Sequence, residues 1–233
     1  MDVKELYVAP ISAKDASGGV KQWHYSGRIC NNSCLHLGVF YKKVLCGVMS
    51  FGPSMDKSKI IGLVADTKWN GFLELNRMAF SDVLPKNSES RCLAVALRII
   101  KKNYPHIEWV ISFADATQCG HGTIYPACGF TLTGIKENNQ IWEAPDGSRW
   151  SRLSLTQPNY LETRKLAQKY NIELNGHSLK PFENAGFKCL DGYMIRYIKF
   201  LNPQARERLP VPEIPYSKIK ELHAAMYKGQ TLE

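Results

Sequence analysis

No run of eighteen apolar residues occurs anywhere in the chain, so no membrane-spanning helix is expected. The opening stretch, MDVKELYVAP, lacks a basic segment followed by an apolar one, so no secretory signal is expected and the cytoplasm is the expected compartment. The seven cysteines are odd in number and follow no framework spacing, which points to reduced thiols rather than disulfides. CxxC pairs are also missing, so Cys119, His121 and Cys128 do not read as a structural zinc site. Acidic residues are comparatively scarce, 21 against 30 Lys and Arg, giving a net charge of +9. That balance suits nucleic acid, an anionic cofactor or plain solvation.

What is present is ordinary for a globular protein: 233 residues, 44% hydrophobic and 22% charged, enough to bury a substantial core. SAKDASGGVKQWHY (12–25) opens with Ser12 three residues before Asp15, a capping pattern, and the Gly18-Gly19 pair predicts a short helix followed by a loop that delivers Trp23, His24 and Tyr25. LHLGVFYKKVLCGVMSFG (35–52) reads as an antiparallel hairpin around Lys42-Lys43. Residues 53–70 read as a loop, and FLELNRMAF (72–80) as a strand ending near Arg77. Leu93, Ala96, Leu97, Ile100 and Tyr104 recur at helical spacing behind an Asn87 or Ser88 cap, and WVISFADA (109–116) reads as a buried central strand. Strand, helix and buried strand make a βαβ-like unit, hence a mixed sheet. Further strands are expected at GFTLTGI, NQIWEA, Arg149 to Leu155 and GYMIRYIKF, with a polar helix at LETRKLAQKY. A faint internal echo links IYPACGFTLTG with PFENAGFKCLDG.

Cysteine, histidine, aspartate and glycine crowd together in DATQCGHGTIYPACGF (115–130), which reads as the exit from the central strand and the start of a helix presenting Tyr125. The order of strand, loop, capped helix, buried strand and TIYPACGF resembles the core of the GNAT N-acetyltransferase superfamily. That resemblance implies an α/β (α+β) fold with a GNAT-like, mixed but mostly antiparallel central sheet flanked by helices. It also implies an acyl-CoA between two splayed strands, its pyrophosphate at the helix N-terminus. Asn87, Ser88, Ser90 and Arg91 would then hold the cofactor, expected to be acetyl-CoA. Tyr125 with Gly129-Phe130 matches the superfamily's x-Y-x-x-x-G-F segment, while PKNSESRCLA has no glycine where the usual loop has two. The expected organisation is a core over 1–200 with an insertion at 136–180, and a basic C-terminal arm over 201–233 packed on the core.

WHYSGR, LELNR, NSESR, SFADATQCGHGTIY and RYIKFLNPQARERLPVPEIPYSKI occur in this order from Trp23 to Ile219. Together they are similar to the Mom family of bacteriophages and prophages. The resemblance implies conversion of adenine in DNA to N6-(carbamoylmethyl)adenine, which shields DNA from host restriction. It implies catalytic roles for His24, Tyr25, Arg77, Asp115 and Tyr125, and iron held by His24, Tyr25, Asp115 and Tyr125. His24 and Tyr25 suit a base, a proton relay or metal ligands, or else a histidine bonded at a helix end. Arg77 suits phosphate, cofactor or a carboxylate, with Glu74 or Asp82 as the structural partner. Asp115 suits orienting a base or holding a metal, or else a turn bond to the backbone of Ala116-Thr117.

Double-stranded DNA and a small-molecule cosubstrate are the expected partners, a membrane is not, and a homodimer is conceivable. Arg196, Lys199, Arg206, Arg208 and Lys218, with Lys220, are the expected phosphate contacts. Adenine N6 is conjugated and paired in duplex DNA, so the base would be flipped and stacked, with Trp23, Tyr41, Phe51 and Trp69 as candidates or as core. Two other readings stand beside this one: conventional acetyl transfer from acetyl-CoA, and a DNA-binding module without catalysis.

Overall fold

The computed structural model describes residues 5–227 and 230–232. Residues 1–4 of the expected core and 228, 229 and 233 of the expected arm lie outside the described residues. The chain begins with β1 (Leu6–Pro10), α1 (Ala13–Trp23), β2 (Leu35–Tyr41), β3 (Val44–Gly52), α2 (Lys57–Ile61), β4 (Phe72–Phe80), α3 (Ser88–Asn103) and β5 (Trp109–Asp115). There follow α4 (Ala116–Cys119), α5 (Ile124–Ala127), β6 (Thr131–Glu137), β7 (Ile141–Glu143), β8 (Arg149–Ser151), α6 (Arg152–Leu155), α7 (Leu161–Lys169), α8 (Lys180–Asn184) and β9 (Lys188–Cys189). The last elements are β10 (Tyr193–Phe200), α9 (Gln204–Glu207), α10 (Ser217–Glu221), β11 (Met226–Tyr227) and β12 (Gln230–Thr231). They divide into two compact units.

The first unit comprises Met1–Ala114, Gly122–Gly134 and Ile195–Lys218. Its framework is a mixed, mostly antiparallel sheet of order β1-β2-β3-β4-β5-β10-β6. Strands β1 to β4 pair antiparallel in succession, as the hairpin pattern predicts. β4 and β5 pair parallel, but only through Phe72↔Trp109, Leu73↔Val110 and Glu74↔Ile111. No β4–β5 pairing is found past those residues among the described residues. Opposite Ser50 and Phe51 the register shifts, leaving Asn76 as an extra residue on β4. A bulge of this kind bends a strand and re-aims its neighbours, here Arg77.

Two features depart from the sequence pattern for packing reasons. α1 runs unbroken through Gly18-Gly19 because Gly19 is a contact residue: a Cβ there would stand 2.6 Å from Val48 Cγ1. Ser12 caps this helix, accepting from Asp15 N–H at 3.1 Å. Within 53–70, read as loop, α2 forms because Ile60, Ile61 and Leu63 pack with buried Val64, Phe72 and Trp109. α3 buries Leu93, Ala96, Leu97 and Ile100 as predicted, while Tyr104 falls at its exposed C-cap.

The second unit comprises Asp115–His121, Ile135–Met194 and Ile219–Glu233. Its sheet has the order β8-β7-β9, both pairings antiparallel. NQIWEA therefore contributes to this small sheet and not to the large one. The strand expected over 149–155 stops at Ser151, whose hydroxyl accepts from Ser154 N–H and starts α6. Trp142, Leu155, Leu166, Phe182 and Phe187 form its core.

Gly18 faces open space and Gly19 does not. Gly18→Ala is therefore expected to raise unfolding stability by up to about 1 kcal/mol, and Gly19→Leu to lower it by about 3 kcal/mol. Urea titration of the two variants checks both signs.

Candidate active site

Tyr125 is set by three independent constraints. α5 ends in a tight turn in which Phe130 N–H returns to Tyr125 O at 3.0 Å, fixing the backbone on which the tyrosine sits. Its ring stacks on Tyr197 of β10, centroids 4.8 Å apart, and meets Phe130 edge-on at 5.3 Å. Its phenol oxygen accepts from Ser112 Oγ at 2.8 Å, a buried hydrogen bond. Gly122, at φ +78°, makes room for this ring, since a Cβ there would lie 2.5 Å from Tyr125 Cδ2. The neighbouring Tyr197 phenol is pushed above its usual range by burial, then by Tyr125 and Tyr216.

His24 is the C-cap of α1, its N–H bonded to Val20 O at 3.0 Å. The imidazole lies 4.3 Å from the Tyr25 ring. Ser26 N–H donates to His24 Nδ1 at 3.1 Å, so the neutral ring carries its proton on Nε2. Burial, then the charge of Arg77, lowers its pKa from 6.5 to about 4. Arg77 itself donates Nε to Arg28 O at 2.8 Å and Nη1 to Asn76 O at 2.6 Å. Its hydrogen-bond partners are thus backbone carbonyls rather than Glu74 or Asp82, and they latch the segment after α1 onto β4.

At the start of α3, Asn87 adopts φ +70° and its side chain makes no capping bond. A left-handed position of that kind is where glycine is favoured, and asparagine tolerates it. The loop without glycine therefore keeps a left-handed turn. Ser88 is buried and donates its hydroxyl to Pro85 O at 2.5 Å, and Ser90 Oγ donates to Asn87 O at 3.2 Å. Both hydroxyls are spent on the loop, while Arg91 is exposed. Cys128 is buried behind this turn, its thiol donating to Ser90 O at 3.1 Å and its pKa pushed up to about 11 by burial.

Asp115 belongs to the second unit, where its carboxylate caps α4. It accepts from Thr117 N–H at 3.1 Å, Gln118 Nε2 at 3.2 Å and Asn138 Nδ2 at 3.2 Å. Iron at His24, Tyr25, Asp115 and Tyr125 finds no support in this arrangement: the Asp115 oxygens, His24 Nδ1 and the Tyr125 phenol are engaged in protein hydrogen bonds. Among the described residues no group of three or more His, Cys, Asp or Glu side chains is placed to hold a metal.

The chain matches the model of the Mom protein family over residues 5–218. It belongs to the Mom family. A curated relative, "Methylcarbamoylase mom" of Escherichia phage Mu, is 37% identical over 207 residues, covering 88% of this chain and 80% of the relative. Mom-type modification is accordingly the coarse assignment. Among solved structures, an N-acetyltransferase of Staphylococcus aureus is similar with a TM-score of 0.46 and 10% identity, covering 84% of this chain and 99% of the other. A Bacillus acetyltransferase in complex with CoA has a TM-score of 0.43 and 11% identity, covering 84% and 97%.

In this Mom-family chain the cations expected on DNA take part in intramolecular contacts. Arg196 donates to Thr133 Oγ1 at 3.0 Å and Thr133 O at 2.6 Å, and Lys199 to Gly129 O at 3.2 Å. Arg206 forms a two-pronged pair with Glu213 at 2.5 and 2.6 Å, and Arg208 pairs with Glu108 at 2.6 Å. Lys218 is exposed. Of the stacking candidates, Phe51 is fully buried and Trp23 and Tyr41 are half-buried, whereas Trp69 is exposed beneath the Lys57 ammonium. No helix among the described residues is long and apolar enough to cross a membrane.

Sequence reasoning passed over Ser112 and the pair His36–Ser50, whose Nδ1 and Oγ are 2.9 Å apart. The signal was available. A serine inside the apolar run WVISFAD needs a partner when buried, and a histidine stands at an alternating position of LHLGVFY.

His24 is held neutral in the fold, so the unfolded chain takes up a proton first as pH falls. Its contribution is present above the unfolded pKa of 6.5 and is lost as pH drops toward about 4. The change is on the order of 3 kcal/mol. Unfolding titrations from pH 7.5 to 4.5 are expected to show this loss, and His24→Gln to flatten it.

Proposed function

We propose that this chain is a transferase that converts adenine in double-stranded DNA to N6-(carbamoylmethyl)adenine and so protects that DNA from restriction. The observation that carries the reading is the 37% identity to the phage Mu methylcarbamoylase over most of both chains. The family match favours this chemistry over conventional acetyl transfer and over a binding module without catalysis.

The first unit supplies groups suited to moving protons at a weakly nucleophilic amine. His24, neutral at pH 7 with its proton on Nε2, is placed to donate a hydrogen bond to the acceptor or a bound water and so orient it. Tyr125, locked by Ser112 and Tyr197, is the buried acid that protonates a departing group. Arg77 keeps the His24 segment in register with β4 and adds positive charge beside it.

The proposed cofactor is acetyl-CoA, whose thioester would activate an acyl carbon when bound. The end of β4–β5 pairing at Glu74 and Ile111 and the left-handed Asn87 turn before a sixteen-residue helix fit it. The first-turn N–H groups from Ser88 to Arg91, with the Arg91 guanidinium, would meet its pyrophosphate. The carbamoylmethyl group comes from a small-molecule cosubstrate. Asp115 acts in this reading by ordering α4. Of the proposed DNA contacts, Lys218 is already exposed, and Arg196, Lys199, Arg206 and Arg208 engage phosphate by sharing their present partners.

Nucleosides digested from plasmid DNA of cells expressing the protein are expected to include a deoxyadenosine adduct with the mass of carbamoylmethyl addition. Tyr125→Phe is expected to reduce it about a hundredfold or more, and an empty vector to give none. Wholly unmodified DNA from soluble wild-type protein would refute the assignment.

A further inference from the structure

Beside Arg77 the first unit contains a cavity of about 170 Å³ that none of the groups discussed above fills. Val20 of α1 and Ile29 of the following segment line it, together with Asn31, His36 of β2, Ser50 of β3 and Arg77 of β4. An apolar cavity of about 150 Å³ accepts one benzene ring, and whole drug-sized ligands need roughly 300 Å³ or more. The space therefore suits one flat ring system and is too small for a CoA.

Its chemistry is narrower than its size. Ile29, 41% exposed, offers aliphatic surface to one face of a ring, and Val20, almost fully buried, closes the floor. His36 Nδ1 and Ser50 Oγ are 2.9 Å apart, a bond that leaves Nε2 as the remaining polar atom of the imidazole. Burial lowers the His36 pKa, which keeps the ring neutral and able to donate or accept. Asn31 adds an exposed carboxamide, the group that pairs with both N6–H and N7 of adenine. Of the lining residues only Arg77 carries a full charge, and its guanidinium is held by Arg28 O and Asn76 O.

We propose that this cavity is the subsite for the flipped target base, with Asn31 and the His36–Ser50 pair recognising the adenine edge that bears N6. The inference rests on the DNA-adenine reading above and extends it to residues with no role there. The flipped ring lies against Ile29 above the floor made by Val20; base-flipping enzymes stack the extruded base on apolar as well as aromatic side chains. His24, whose pKa also responds to Arg77, belongs to the same part of the unit.

The test uses the full chain, with deoxyadenosine and deoxyguanosine as probes. Deoxyadenosine is expected to shift the NMR signal of the His36 imidazole saturably, identified as the signal missing from His36→Phe, while deoxyguanosine at the same concentration leaves it in place. Asn31→Ala, a change at an exposed residue that leaves the fold intact, is expected to weaken deoxyadenosine binding about tenfold. The same variants are assayed for adduct in plasmid DNA. No saturable shift in the wild type, equal shifts with both nucleosides, or undiminished deoxyadenosine binding in Asn31→Ala would overturn the subsite. If His36→Phe and Asn31→Ala both make adduct at the wild-type level, the subsite fails while the enzymatic reading stands. A wild type that makes no adduct refutes that reading instead.

Discussion

The stacking of Phe72 on Trp109 fixes the geometry of the first unit. The rings lie 4.3 Å apart and nearly parallel, both essentially fully buried, at the first of the three residue pairs that join β4 to β5. Trp109 Nε1 is satisfied by Thr67 at 3.0 Å, and Val64, Ile111, Ile198 and Ala205 close around the pair. Burial of each ring is worth about 2–3 kcal/mol, enough to hold these ends of the two strands together. Arg77 and Ser112 both lie past the last paired residues of β4 and β5. The groups proposed for the chemistry, or their direct partners, thus stand where pairing stops.

A second regularity concerns charge. The groups assigned to the chemistry are neutral, or have their charge directed into backbone carbonyls. His24 is kept uncharged by burial and by Arg77, and Tyr125 bonds to a serine. Arg77 spends its donors on Arg28 O and Asn76 O. Such an environment suits a neutral, poorly nucleophilic amine: even the Glu74 carboxyl near Arg77 has its pKa raised by burial. The cations proposed to meet DNA lie elsewhere in the sequence and already share partners such as Glu108 and Glu213.

Much of this was legible in the sequence where periodicity dominates. The β2–β3 hairpin, the β4 strand, the α3 helix and the buried β5 strand follow directly from alternation or helical spacing. Local rules failed where tertiary contact overrode them. A double glycine reads as a helix breaker, but Gly19 is small because Val48 presses on it. The loop before α3 seems to lack its turn residue until Asn87 is seen in the left-handed region. A row of arginines reads as a phosphate surface, yet sequence alone does not reveal that Arg196 and Arg208 turn inward to Thr133 and Glu108. The internal echo has a physical basis: Phe130 N–H returns to Tyr125 O and Phe187 N–H to Phe182 O, each at 3.0 Å, so both segments close a short helix with the same turn.

Gly122 carries a consequence for how this enzyme tolerates change over evolution. Any side chain at that position strikes the Tyr125 ring and must also adopt a backbone angle it resists. A residue that touches no reactant is thereby as constrained as the tyrosine it shelters. In a scan of natural or laboratory variation, Gly122 would register as though it were catalytic, with loss of activity arriving through displacement of its neighbour. Functional maps of this family that count only polar residues would miss the position on which the placement of the phenol depends.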